Sequence, residues 1–333
     1  MKSAMFDRFG PPEEVLHVRE VPTPEPGRGQ VRVRMIASPI NPSDLLHIRG
    51  EYGKRPVLPG SAGFEGVGIV EASGGGLLGW RVKGRRVAVI NSSGGNWSEQ
   101  VVVPARQAIP VPAAMSDDQA ATFFVNPASA LVMTRHVLNV PPGAWLLQTA
   151  ANGALGRIVI RLGKQYGFRT INVVRRQEHA EKLSKLGADA VVVVPGASLT
   201  EEVKRITGGQ GVGYALDAVG GPLAGEVVGC LGTLGRLLVY GTLSEEPLCL
   251  SPRVLMVGQK RVEGFWLSEW SRRQSVLTML RLFRKVGKLF QEGIATTEFA
   301  ATYPLDQVRE ATHHAAGPGR NGKVLLQITG SAS

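Results

Sequence analysis

The sequence predicts an α/β protein in two domains, a doubly wound parallel sheet joined to a β-rich, partly closed barrel. Three observations carry that prediction. Residues 1–118 alternate short β-like runs with Gly and Pro punctuation and hold no long helical stretch. From about residue 119, helical stretches alternate with strand-like runs at 145–149, 170–174, 190–194, 213–217 and 236–240, the rhythm of βαβ units. Between the first two of those runs lies Ala150-Ala151-Asn152-Gly153-Ala154-Leu155-Gly156, a glycine turn leading from a buried strand into a helix.

In chain order, the β-like runs of the first part are 31–36, 66–70, 86–90 and 100–103. The run 145–149 is short and apolar, as a strand buried on both faces should be. After the turn, a helix over 155–166 places Leu155, Ile158, Val159 and Leu162 on one side. A further strand-like run, 261–267, precedes an amphipathic helix with Arg281, Arg284, Lys285 and Lys288 as one stripe and Val276, Leu280, Phe283 and Phe290 opposite. A last β-like run, 323–328, is expected to return to the first domain. The expected division is therefore 1–118 with 271–333 as the β-rich domain and 119–270 as the dinucleotide-binding, or Rossmann, domain.

The strand–glycine turn–helix order presents backbone N–H groups at a helix N-terminus, where a pyrophosphate binds. Asn152, Gly153, Ala154, Leu155 and Gly156 are the candidate residues. The next strand, 170–174, ends in Arg175-Arg176, about 20 residues on, where an NAD enzyme presents an Asp or Glu to the ribose 2′-hydroxyl. Two guanidiniums there attract a 2′-phosphate, so NADPH is the expected cofactor.

Composition narrows the partners. The net charge of +11 favours anionic ligands, but the chain carries no nucleic-acid motif and few aromatics among its basic residues, so no nucleic-acid partner is expected. No apolar run reaches the roughly 18 residues of a membrane span, and the N-terminus shows neither a secretory apolar region nor a transit peptide. A cytoplasmic protein with no membrane partner is expected. The two cysteines, Cys230 and Cys249, both in apolar surroundings, suit a reducing compartment.

Along nearly its whole length the chain resembles the medium-chain dehydrogenase/reductase superfamily, on Ile40-Asn41-Pro42-Ser43-Asp44, Gly63-Phe64-Glu65-Gly66-Val67-Gly68 and Leu186-Gly187-Ala188-Asp189. Within it, the chain is similar to the 2-enoyl thioester reductases, on Gly50-Glu51-Tyr52-Gly53, Val125-Asn126-Pro127, 170–175 and 264–270. Quinone reductases share the Asn-Pro-Ser-Asp segment. The resemblance implies a GroES-like fold for the β-rich domain. It departs from the zinc enzymes of the superfamily, since Asn41 and Ser43 flank Pro42 and Phe64 stands where those enzymes hold a histidine. No metal is expected.

The resemblance further implies a proton-donating role for Tyr52. It implies that Asn126, Tyr240, Gly241, Thr242, Leu243, Phe265, Trp266, Leu267 and Ser268 line the nicotinamide and acyl side of the cofactor, and that Lys323 approaches the cofactor from the tail. The implied reaction is NADPH-dependent reduction of a 2-enoyl thioester, carried on CoA or on an acyl carrier protein, with a zinc-free quinone or alkenal reductase as the alternative. The strand near 261–267 is expected to pair across a two-fold axis, giving a homodimer.

Overall fold

A computed structural model describes residues 1–53 and 55–329. Its strands, in chain order, are β1 (Lys2–Phe6), β2 (Leu16–Glu20), β3 (Gln30–Pro39), β4 (Gly60–Ser61), β5 (Glu65–Ser73), β6 (Arg86–Ile90), β7 (Gln100–Pro104) and β8 (Ala108–Pro110). There follow β9 (Trp145–Gln148), β10 (Arg169–Val174), β11 (Ala190–Val193), β12 (Val212–Asp217), β13 (Leu231–Val239), β14 (Arg261–Gly264), β15 (Phe299–Pro304) and β16 (Lys323–Gln327).

The chain forms two compact units, Met1–Val125 with Phe283–Gln291 and the chain from Thr296 on, and Asn126–Leu282 with Glu292–Ala295. Both joins differ from the expected ones. Residues 119–125 stay with the first unit because Ala120 and Ala121 bury against Ile36, Ala37, Val67 and Leu325. Gln119 also exchanges two hydrogen bonds with the backbone of Thr297, at 2.8 and 3.0 Å. Residues 271–282 stay with the second, whose Trp270 ring lies 5.7 Å from that of His136.

In the first unit β3 is the organising strand. It pairs antiparallel with β5, β7 and β16, in a seven-stranded sheet whose main path runs β15-β16-β3-β5-β6-β8. The alternation Val31, Val33, Met35 sends these side chains into one core with Trp97, Val87, Val89 and Val103. A smaller sheet, β2-β1-β4, covers the same core through Ala4, Phe6 and Leu16.

The second unit is a six-stranded parallel sheet in the order β11-β10-β9-β12-β13-β14. Counted within the unit this is 3-2-1-4-5-6, the doubly wound order, whose ligand crevice opens beyond the carboxyl ends of the strands where the order reverses, between β9 and β12. The helix Ala154–Tyr166 buries Ile158, Val159, Ile160 and Leu162, with Leu155 only half-buried.

The helix Val276–Gln291 buries a different face from the expected one. Leu282, Val286, Leu289 and Phe290 are inside, Phe283 is half-buried and Val276 and Leu280 are exposed, while Arg281, Arg284, Lys285 and Lys288 face solvent. Cys230 is buried, but Cys249 is exposed rather than packed in apolar surroundings. No helix among the described residues is long and apolar enough to cross a membrane.

Candidate active site

The cofactor crevice is built at the carboxyl ends of β9, β10, β12 and β13. Thr149, just past β9, donates its hydroxyl to Asp217 Oδ1 at 2.5 Å and accepts the Ala218 N–H at 3.0 Å. The fully buried Asp217 carboxylate also takes the N–H groups of Val219 (3.2 Å) and Gly220 (2.8 Å), which ties the ends of β9 and β12 together. Ala150 is left-handed at φ 49°, a conformation that costs an L-residue about 1–2 kcal/mol, so the turn holds some strain.

Glycine is required at Gly156. A Cβ there would lie 2.5 Å from the Ala151 carbonyl oxygen, inside any permitted contact. Its absence lets the first turn of the helix close onto the loop, leaving the N–H groups of 154–156 without intrahelical partners. Asn152 is pinned by Arg157, whose guanidinium donates to Asn152 Oδ1 at 2.9 Å.

The Ala151 N–H reaches Val173 O at 3.3 Å, which brings the glycine turn beside the end of β10. Arg175 and Arg176 follow directly and are exposed. Arg176 touches Glu178 at 3.6 Å, and Arg175 makes no ion pair among the described residues. Burial is the first cause that lowers the His179 pKa; the charges of Arg176, Lys182 and Arg157 lower it further while Glu178 opposes them. That electropositive corner was only half legible, because Arg157 and Lys182 reach it from two different helices.

The 240–243 segment joins the same edge. The Tyr240 N–H donates to Asp217 O at 2.8 Å and the Leu243 N–H to Ala218 O at 3.1 Å. A Cβ on Gly241 would lie 2.7 Å from Ala218 O, so this approach also depends on glycine. Burial, then the Asp217 charge, raises the Tyr240 pKa above the ordinary phenol value. Thr242 and Leu243 are both exposed. Phe265 continues the edge through its N–H to Val239 O at 2.8 Å, and Trp266, 37% exposed, precedes the helix Leu267–Arg272, which carries Ser268. Asn126 is half-buried in the helix Val125–Val132; no described contact links it to the glycine turn.

The first unit holds Tyr52 above a buried polar cluster. Gly50, left-handed at φ 77°, ends the helix Pro42–Arg49 and turns the chain towards Tyr52. The half-buried Tyr52 ring lies 5.4 Å from Phe64, which meets His47 edge-on at 5.0 Å. His47 is buried and its pKa lowered by burial, which keeps the ring neutral at physiological pH.

Beneath Phe64, Asp44 accepts the N–H groups of Asn41 (2.7 Å) and Phe64 (3.0 Å). Glu65 accepts the Asn41 amide at 3.0 Å and the N–H groups of Phe124 and Val125 at 3.3 and 2.9 Å. Lys323 donates its Nζ to Asn41 Oδ1. Burial pushes the Asp44 carboxyl up to about 7, raises Glu65, and brings Lys323 down to about 8; the ammonium opposes both carboxyl shifts.

Lys323 comes to the cluster from the tail of the chain. The pairing of β16 with β3, and the Ile40 N–H on Val324 O, turn it into this cluster inside the first unit. Asp44 and Glu65 were missed as site residues. For Glu65 the signal was a carboxylate inside the otherwise apolar run 62–70, which in a folded core must find hydrogen-bond donors; Asp44, among the polar residues Asn41, Ser43 and His47, carried no such signal. Among the described residues no three His, Cys, Asp or Glu side chains gather as a metal site.

Residues 27–113 match the alcohol dehydrogenase GroES-like domain and residues 154–285 the zinc-binding dehydrogenase family. The human mitochondrial enoyl-[acyl-carrier-protein] reductase is 30% identical over 332 residues, covering 98% of this chain and 89% of that protein. This chain belongs to the medium-chain dehydrogenase/reductase superfamily. The superfamily's oxidoreductase fold, a GroES-like unit and a Rossmann unit, accounts for all three sheets. The Caenorhabditis elegans enoyl-[acyl-carrier-protein] reductase is 31% identical, covering 100% of this chain and 97% of that protein. The Escherichia coli quinone oxidoreductase, solved in complex with NADPH, superposes with a TM-score of 0.90 at 26% identity, over 98% of this chain and 100% of that one. The family description names zinc, yet this chain carries Asn41, Ser43 and Phe64 in the two segments that hold ligands in zinc enzymes.

Proposed function

We propose that this protein reduces the α,β double bond of 2-enoyl thioesters with NADPH, on CoA or an acyl carrier protein. The single observation that carries the reading is the half-buried Tyr52, its ring packed at a tilt against Phe64 over the Asn41–Asp44–Glu65–Lys323 cluster, at the position that in enoyl reductases holds the acid. Full-length relatives named as enoyl-[acyl-carrier-protein] reductases support it.

When bound, NADPH supplies a hydride, two electrons and a proton, for Cβ of the substrate. The loop 152–156 holds the pyrophosphate on its free N–H groups, and Arg175 and Arg176 take the 2′-phosphate. Asn126, 240–243 and 265–268 orient the nicotinamide and the acyl group. As the Cβ–H bond forms, the π pair moves towards the thioester oxygen, and Tyr52 gives its hydroxyl proton to Cα. Solvent returns that proton to the phenol. Lys323 acts at a distance, by keeping the cluster beneath Tyr52 neutralised.

The second reading is a zinc-free quinone or alkenal reductase, favoured by the likeness to the quinone oxidoreductase. It needs the same hydride but no dedicated acid, because a quinone oxyanion can take its proton from water. Oxidation of NADPH with crotonyl-CoA and with a simple quinone separates the two. Turnover of crotonyl-CoA well above that of the quinone is expected, and the reverse order would replace the first reading with the second. We also propose a homodimer formed along β14, the outer strand of the parallel sheet.

A further inference from the structure

The helix Leu77–Val82 stands at the turn between β5 and β6, directly after Gly74-Gly75-Gly76. One face is held tightly. Val82 is buried in the core of the first unit, and a Cβ on Gly79 would lie 2.4 Å from Ser73 Oγ. The other side chains point away from that core: Leu77 is 80%, Leu78 54% and Trp80 76% exposed.

Cations ring these three residues. Arg81, Lys83 and Arg85 follow in sequence and are exposed. Arg28 sits on the adjoining turn, where the Gly29 N–H meets Gly75 O at 3.3 Å, and Arg106 lies on the short helix Ala105–Gln107 packed against this one. None of the five makes an ion pair among the described residues. Other arginines of the same unit do pair, Arg32 with Glu25 at 2.6 Å and Arg86 with Asp117 at 2.7 Å. A hollow of about 470 Å³ lined by Arg85, Arg86, Pro110, Val111 and Ala113 opens beside the ring.

We propose that this tip docks on an anionic lipid bilayer, with Leu77, Leu78 and Trp80 entering the headgroup layer and Arg28, Arg81, Lys83, Arg85 and Arg106 lying over lipid phosphates. Charge favours lipid. Five exposed cations without an acidic partner among the described residues surround only three exposed apolar side chains, and on an anionic bilayer a shallow apolar insertion and a cluster of cations add together. Trp suits that depth, with an apolar ring and an N–H that can stay with the headgroups. The expectation of no membrane partner rested on the lack of a spanning segment, which does not bear on surface docking. The proposal is independent of the reaction catalysed.

Sedimentation with vesicles of phosphatidylcholine alone, and of equal parts phosphatidylcholine and phosphatidylglycerol, tests it. Binding to the anionic vesicles only, weakened by salt, is expected. Reversing Arg81, Lys83 and Arg85 to Glu should weaken it by about a hundredfold, and Leu77→Ser with Leu78→Ser and Trp80→Ser by about tenfold. A control that reverses Arg281, Arg284 and Lys285 to Glu on the helix Val276–Gln291 should leave binding nearly unchanged. All the substituted side chains are exposed or rim the surface, and melting temperatures verify folding. Full binding by the Ser variant, a larger loss in the control, or no binding by the wild-type protein would each overturn the proposal. So would concentration-dependent self-association abolished by the Ser variant, which would make the tip a protein interface.

Discussion

Tyr52 is held by its ring against Phe64, so Tyr52→Phe deletes the hydroxyl and keeps the packing. The expected outcome is a fall in kcat on enoyl-CoA of about 10²–10⁴-fold, with NADPH affinity and melting temperature unchanged and quinone reduction much less affected. Steady-state kinetics on both substrates check it, and wild-type turnover of enoyl-CoA would remove the acid role. At the other end of the cofactor, the Arg176–Glu178 contact is long and exposed, a pair worth about 0–1 kcal/mol, which leaves the guanidinium available to a phosphate. Replacing Arg175 and Arg176 with Ala should weaken NADPH binding by about 1.5–3 kcal/mol per lost charged hydrogen bond and leave NADH nearly unaffected. Calorimetric titration with both cofactors decides; equal losses would show that the arginines do not read the 2′-phosphate.

At the scale of elements, the glycine turn and the buried cluster each make a strong demand on sequence. Gly156→Ala places a methyl group 2.5 Å from a backbone oxygen and forces the helix off the turn. A loss of about 1–3 kcal/mol of stability and weaker NADPH binding are expected, read by thermal melting and titration. Asp44 titrates at about 7 in the folded protein against 3.8 ordinarily, so the folded state holds its proton more tightly than the unfolded chain. Its contribution therefore makes stability fall as pH rises between those values. Urea unfolding of wild-type protein and Asp44→Asn across that range should show the slope diminished in the variant, and parallel curves would refute it. Such pairings explain what the sequence could and could not reveal. The run 31–36 was legible because alternate residues face one core, and the turn because a strand, glycines and a helix follow one another within a few residues. The cluster was not, since Lys323 meets Asn41 across 282 residues of chain. The helix Val276–Gln291 has apolar residues at two phases, Val276 and Leu280 on one and Leu282, Val286 and Leu289 on the other, and periodicity alone cannot choose between them.

For the whole molecule, the outer strand β14 leaves one row of backbone groups unpaired within the sheet, and Leu234, Met256 and Val257, 57%, 76% and 66% exposed, lie at the end where it begins. Sedimentation equilibrium should give twice the chain mass. Met256→Lys with Val257→Lys should shift the protein to the monomer without unfolding it; a wild-type monomer would refute the edge pairing. The threading of the first unit has a consequence for how the protein is made. Its central strand β3 is synthesised early, but β16, which lies between β3 and β15 and carries Lys323, follows almost three hundred residues later. The six parallel strands have all been translated before then. The second unit is thus able to fold on a nascent chain while the first, begun earlier, waits for β16 to close its sheet.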